Sequence, residues 1–152
     1  VIDAFEQGPA APQAGGRENA SEDCLFLNVW TTGCDERARR PVMVYIHGGA
    51  YSSGSCGDPL SDGARLAARG DVVVVTLNHR LSALGYLYLA RLTSSSVFQD
   101  SGNCGQLDLV LALKWVRDNI AAFGGDVSRV TVFGQSGGGA KIATMMAMPA
   151  AA

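Results

Sequence analysis

The sequence predicts an α/β domain with a mainly parallel sheet and helices on both of its faces. Two short runs rich in β-branched residues, Val42 to Ile46 (VMVYI) and Val72 to Leu77 (VVVVTL), lack polar alternation, as strands covered on both sides do. Helical patterns fall between and after these runs, and strands alternating with helices mark this class. Glycine supplies the third observation: 19 of 152 residues, against a usual ~7%, which demands sharp turns or close backbone approaches.

Val1 to Ala20 holds Gly8-Pro9, Pro12 and Gly15-Gly16 without helical or alternating pattern, and reads as irregular surface chain. From Cys24 the run CLFLNVWT alternates as a strand does, with Leu25, Leu27 and Val29 on one face and Phe26, Asn28 and Trp30 on the other. A charged loop, Asp35 to Arg40, and Pro41 separate it from the strand Val42 to Ile46. Ser61 is placed to cap a helix over Asp62 to Arg69, Gly70 stands at the stop position, and the strand Val72 to Leu77 follows. Gln106 to Phe123 reads as a long helix ended by Gly124-Gly125, with Lys114, Arg117 and Asp118 on a polar face and Leu107, Leu111, Trp115 and Ala122 elsewhere. Val130 to Phe133 is a strand, Gly134 to Gly138 a turn, and Gly139 to Met148 a mostly apolar helix stopped before Pro149. No repeat or linker divides the chain, so residues 1–152 read as part of one domain.

Composition excludes some functions. Twelve basic and 14 acidic residues leave a formal charge of -2, which offers no electrostatic footprint for nucleic acid or an anionic membrane. The uncharged stretch Val42 to Gly57 is broken by His47, glycines and serines, unlike the ~20 apolar residues of a membrane-spanning helix. No basic, then apolar, then small-residue order opens the chain. Cys24, Cys34, Cys56 and Cys104 are spaced for neither a zinc site nor a small disulfide framework and read as mostly reduced thiols.

The chemistry concentrates in two glycine clusters. Gly134-Gln135-Ser136-Gly137-Gly138 is a G-x-S-x-G pattern that follows a β-branched strand and opens a helix, the setting in which a tight turn lifts a serine hydroxyl above the sheet. Side chains at 134 and 138 would crowd the neighbouring strand and helix, and the helix start aims N–H groups at developing negative charge. The bland reading is an ordinary glycine-rich strand-to-helix turn. Similarly, Val42 to Ile46 runs into His47-Gly48-Gly49-Ala50, where consecutive small residues let main-chain N–H groups converge on one oxygen, as acyl transfer requires. In isolation this too is a tight turn. Both clusters sit at strand C-terminal ends, where open α/β sheets place their ligands.

Four blocks in order, Ser21 to Trp30 (SEDCLFLNVW), Pro41 to Gly54 (PVMVYIHGGAYSSG), Asn78 to Leu87 (NHRLSALGYL) and Gly102 to Gly138, resemble the type-B carboxylesterase family. The resemblance implies a partial α/β-hydrolase fold with a nucleophile elbow between strand and helix. It also implies hydrolysis of small-molecule carboxylic esters by a serine, an acid and a histidine, without cofactor or metal. The HGGA and GQSGG versions are most similar to bacterial para-nitrobenzyl-esterase-like members. By position, Ser136 resembles the nucleophile and Gly49, Ala50 and Gly137 the backbone donors of the oxyanion hole, supported by His47, Gly48 and Gln135. Three positions depart from the common pattern. Ala50 stands where many members have glycine, His79 where an aromatic residue is usual, and Gln135 where glutamate is frequent. Gln135 removes a negative charge beside the nucleophile and so argues against a cationic substrate. Arg80 and Asp108 match positions that form an ion pair beneath the site. Cys24 matches a position disulfide-bonded in secreted animal members, although no earlier cysteine stands in this chain.

Neither His47 nor His79 fits the general base, because the order in this fold is Ser, acid, His, and Gly137 to Ala152 contains no Asp, Glu or His. His47 reads as orienting the glycine turn, His79 as structural or partly exposed, and Trp115 as core. The acid and the base are therefore expected outside this chain, as in a fragment of a longer domain. Expressed alone, residues 1–152 are expected to be poorly soluble and inactive on esters, with the strand Val130 to Phe133 left as an unpaired edge. Walls of the substrate pocket are expected from segments outside the chain and from the loop Arg91 to Cys104. Two other classes compete: a non-catalytic adhesion or interaction member of the family, which has no need of Ser136, and a phosphate-binding loop at GQSGGGAK. The latter lacks Lys directly after its last Gly, since Ala140 intervenes, and Ile142 stands where Ser or Thr would hold magnesium.

Overall fold

The computed structural model describes Ala4 and residues 6–151, and its four strands form one sheet in the order β1-β3-β2-β4. β2 (Arg40–Ile46) pairs in parallel with both β3 (Val73–Leu77) and β4 (Gly125–Gly134), while β1 (Leu27–Trp30) runs antiparallel to β3. Helix α1 (Ala64–Gly70) connects β2 to β3; α2 (Ser82–Tyr86) and α3 (Cys104–Asn119) lie between β3 and β4; α4 (Gly137–Met145) follows β4.

The unbroken apolar runs fold as strands because both their faces are covered. Val42, Val44, Ile46, Val73, Val75 and Leu77 point to one side, against Leu109, Val110 and Val116 of α3, Ile120 and Met145 of α4. Val74 and Met43 point to the other, against Ala67 of α1. Each fully buried side chain of Ile46, Leu77, Leu109 and Ile120 contributes about 1.5–3 kcal/mol. β1 is shorter than the run CLFLNVWT, and Leu25 lies outside it, exposed; within the strand the predicted alternation holds, Leu27 and Val29 meeting the larger cluster and Trp30 the smaller. Helices thus cover both faces of the sheet, and β4 lies at its edge.

Several boundaries differ from the sequence expectation. β2 begins at Arg40, not Val42; Pro41 has no N–H to donate, and the register with β4 shifts between Arg40 and Val42. Ser61 does not cap α1: its hydroxyl donates to the Ser55 carbonyl (3.0 Å), and the Asp62 carboxylate accepts from the Ala64 N–H (2.8 Å). The left-handed residue after α1 is Asp71 (φ 47°) rather than Gly70, which stays helical. Gly124 (φ 82°) does end the α3 segment, after a 3-10 turn over Ile120–Phe123, but Gly125 already opens β4. α4 stops at Met145, short of Met148.

The buried face of α3 was the least legible. It carries Gly105, Gln106, Asp108, Leu109, Val110 and Val116, whereas Leu111 is 60% exposed. Polar residues turn inward here because distant partners await them. Gln106 Nε2 donates to the Lys141 carbonyl (3.2 Å). The Asp108 carboxylate accepts from the Arg80 N–H (2.9 Å), Nε (2.9 Å) and Nη2 (2.6 Å), which is the ion pair that the family resemblance implies. Asp108→Ala is expected to cost about 3 kcal/mol in a urea unfolding curve, the lower end for a buried pair because the Arg80 side chain remains 37% exposed. A loss below about 1 kcal/mol would place the pair among ordinary surface bridges.

The first twenty residues are irregular but not merely superficial, and residues 1–3 and 5 of that segment lie outside the described residues. Ala10 and Ala11 are buried, and the Gln13 amide accepts from the Gly54 N–H (3.0 Å) and donates to the Gly54 carbonyl (3.1 Å). All four cysteines are unpaired thiols, with Cys24 and Cys56 buried. No helix among the described residues is long and apolar enough to cross a membrane.

Candidate active site

The parallel pairing of β2 with β4 ends on Ile46 opposite Gly134, so the two glycine turns leave the sheet side by side. Ser136 sits at the N-terminus of α4 with φ 53° and ψ −119°, a conformation that costs a non-glycine residue about 1–3 kcal/mol. The turn is closed by the Gly138 N–H on the Gln135 carbonyl (2.9 Å) and the Ala140 N–H on the Ser136 carbonyl (3.1 Å). A Cβ on Gly138 would overlap the Ile46 carbonyl oxygen, and one on Gly134 would lie 2.8 Å from that same atom. Because α4 abuts the end of β2 this closely, the chain doubles back sharply and the Ser136 side chain is left exposed to solvent.

The other turn meets this one directly. A Cβ on Gly137 would lie 2.6 Å from both the Cα and the carbonyl oxygen of Ala50, so only bare backbone separates them. Gly49 (φ 87°) and Ala50 (φ 53°) both adopt left-handed conformations. Their turn is braced by the Ser52 and Ser53 N–H groups on the Gly49 carbonyl (3.2 and 3.1 Å) and by the Ser82 N–H on the Tyr51 carbonyl (2.8 Å). The N–H groups of Gly49, Ala50 and Gly137 have no protein acceptor among the described residues. Unpaired donors on two touching turns, one of them at the positive end of a helix, are the kind of group that can hold an oxygen anion.

His47 is buried, and its Nδ1–H donates to the Gly48 carbonyl (2.8 Å). His79 is fully buried, which selects the structural alternative of the sequence reading over partial exposure; its Nδ1–H donates to the Arg80 carbonyl (3.0 Å). The two rings stack, with centroids 4.7 Å apart and planes 7° from parallel. Each Nε2 is buried without a hydrogen-bond partner, so neither imidazole is bonded to Ser136. Burial is the main reason that both titrate below the ordinary histidine range, His79 at about 3.

A pH effect on stability follows from these rings. Unfolded histidines bind protons near pH 6.5 while the folded His79 refuses them until about pH 3, so stability is complete above the first value and is lost as pH falls toward the second. Between pH 7 and 5 His79 alone should remove about 2 kcal/mol. Urea midpoints at the two pH values, compared with those of His79→Phe, read this directly; an equal acid loss in the variant would exclude the imidazole as the cause.

One site residue escaped sequence reasoning. Lys141 is completely buried on α4, and its Nζ donates to the Ala50 carbonyl while lying 5.2 Å from the centre of the Tyr51 ring. Burial pushes its ammonium down to about 8. The available signal was a single charge in an otherwise apolar helix. Gln135 is exposed, with its side chain against Gly48. A cavity of about 340 Å³ opens beside it, bordered by His47, Gly48, Gly49, Ser53 and Arg17. A second, of about 330 Å³, is bordered by Tyr45, Phe133, Leu60 and Leu66. Ser136 borders neither, and no residue of 91–104 lines either of them. Among the described residues no cluster of metal-binding side chains is present.

Residues 1–152 match the carboxylesterase family along their whole length. The para-nitrobenzyl esterase of Bacillus subtilis is 47% identical across 99% of this chain, and the fumonisin B1 esterase of Sphingopyxis macrogoltabida 46% across 85%. Among solved structures, a Geobacillus stearothermophilus carboxylesterase superposes with a TM-score of 0.90 over 95% of the chain at 44% identity. A para-nitrobenzyl esterase superposes with a TM-score of 0.88 over 99% at 49% identity. The chain spans 32% and 24% of the two curated relatives and 30% and 31% of the two structures. Sequence identity and backbone shape agree over nearly all of these residues, and the chain belongs to the carboxylesterase family.

Proposed function

We propose that these residues carry the nucleophile and oxyanion-binding half of a serine esterase, completed by an acid and a histidine elsewhere in the protein. The observation that supports this reading most is the backbone contact between Gly137 and Ala50: it joins the turn of the exposed Ser136 to a second turn whose Gly49 and Ala50 N–H groups, like that of Gly137, have no acceptor among the described residues. In this reading Ser136 Oγ attacks the ester carbonyl carbon and gives its proton to the histidine. The N–H groups of Gly49, Ala50 and Gly137 hold the resulting oxyanion. The imidazolium protonates the departing alcohol, and an acyl-serine remains. Water, deprotonated by the same histidine, then adds to the acyl carbon, releasing the carboxylic acid and restoring the serine.

The substrate is a small ester. With Gln135 in place of a carboxylate, the nucleophile's immediate neighbour exerts no attraction on a cationic alcohol. The formal charge of -2 gives no basis for a nucleic-acid partner. A fluorophosphonate probe on the full-length protein tests the assignment: mass spectrometry should find the adduct on Ser136. An unlabelled protein without esterase activity would point to the non-catalytic interaction class instead.

A further inference from the structure

We infer that Lys141 is a positioning residue for the oxyanion turn, its ammonium pinning the Ala50 carbonyl inward so that the Ala50 and Gly49 N–H groups keep facing Ser136. The inference rests on the reading of Ser136 as nucleophile.

The geometry behind it is a single contact group. Lys141 lies one helical turn beyond Gly137, so the face of α4 that offers bare backbone to Ala50 also carries this ammonium to the Ala50 carbonyl. Ala50 has a side chain and yet adopts φ 53°, a conformation that persists only when its surroundings impose it. Holding its carbonyl fixes ψ, and through the flanking peptide planes it constrains the direction of the neighbouring N–H groups.

The cation is costly. It is wholly buried, and no Asp or Glu among the described residues pairs with it. Ile142 and Met145 on the same helix pack into the core, and an apolar residue at 141 would avoid the desolvation penalty. What the charge gains instead is the Ala50 carbonyl and the Tyr51 ring face. Tyr51 is itself held edge-on by Tyr86 of α2, with ring centres 4.9 Å apart. Both of these contacts lead to the turn that carries the proposed oxyanion donors. A cation at this place also favours a negatively charged intermediate over a neutral ester, so its contribution grows as the reaction proceeds.

Lys141→Met and Lys141→Gln in the full-length protein test this, with turnover of para-nitrophenyl acetate expressed per site titrated by a fluorophosphonate. Met removes both charge and donor; Gln retains a donor for the carbonyl. The expected result for Met is a kcat about 10- to 100-fold lower with KM within about threefold. Affinity for a trifluoromethyl ketone, which forms a tetrahedral oxyanion adduct on serine, should fall in proportion to kcat/KM. Gln should recover part of the loss, and it carries the comparison if Met does not fold. Unchanged kcat per titrated site in both variants, or a deficit confined to KM or to the number of titratable sites, overturns the inference while leaving Ser136 in place. A wild-type protein whose Ser136 does not label overturns both.

Discussion

Ser136→Ala in the full-length protein is expected to lower ester turnover by about 10⁴-fold or more while leaving the unfolding midpoint unchanged. The asymmetry follows from the surroundings of the side chain. The hydroxyl is exposed and makes no hydrogen bond to the described residues, so the fold loses nothing with it. The strain belongs to the backbone, and alanine bears it as serine does. Ser136→Gly would abolish turnover as well, yet should raise stability by about 1 kcal/mol, because glycine tolerates φ 53° without penalty. Turnover within tenfold of wild type after Ser136→Ala would mean that another nucleophile performs the reaction.

Gly138→Val should produce the opposite pattern, a loss of fold that takes activity with it. The new Cβ would overlap the Ile46 carbonyl oxygen and lie 2.9 Å from its carbon and 3.0 Å from the His47 carbonyl oxygen. These are backbone atoms at the end of the central strand β2, and they cannot retreat without separating Ile46 from Gly134 and opening the gap between the two turns. The penalty should exceed about 3 kcal/mol, beyond the usual range for overpacking. Gly138→Ala carries the same collision with less bulk and should be intermediate. Thermal unfolding measured together with fluorophosphonate labelling separates the cases: Ser136→Ala melts normally and does not label, whereas Gly138→Val melts early and labels poorly. A normal melting point for Gly138→Ala would show that α4 can move away from β2.

Much of this site was legible because its demands are local. A turn that must reverse within a few residues needs glycine at particular positions of that segment, and the covered strands leading into each turn declare themselves by unbroken β-branched runs. The G-x-S-x-G and HGGA segments could therefore be located, assigned to strand ends and associated with each other. Hydrophobic periodicity could not yield the α3 face, the histidine stack or Lys141, since it assigns polar residues to solvent; of these only the Asp108–Arg80 pair was anticipated, by the family resemblance. Gln106, Asp108, His79 and Lys141 are all buried, each beside a polar partner or aromatic ring that the fold brings to it.

By itself the sequence determined the fold class, the strands β2 and β3, the family and the serine at the sharp turn. These depend on short-range patterns: the period of apolar residues, the conformational freedom of glycine and motif order. Only the tertiary structure decided that β1 runs antiparallel at one edge, that Gly137 and Ala50 touch, and that a buried ammonium holds the Ala50 carbonyl across 91 residues of chain. Such pairings depend on which distant groups share the interior, where an unpaired polar atom is expensive enough to dictate its partner.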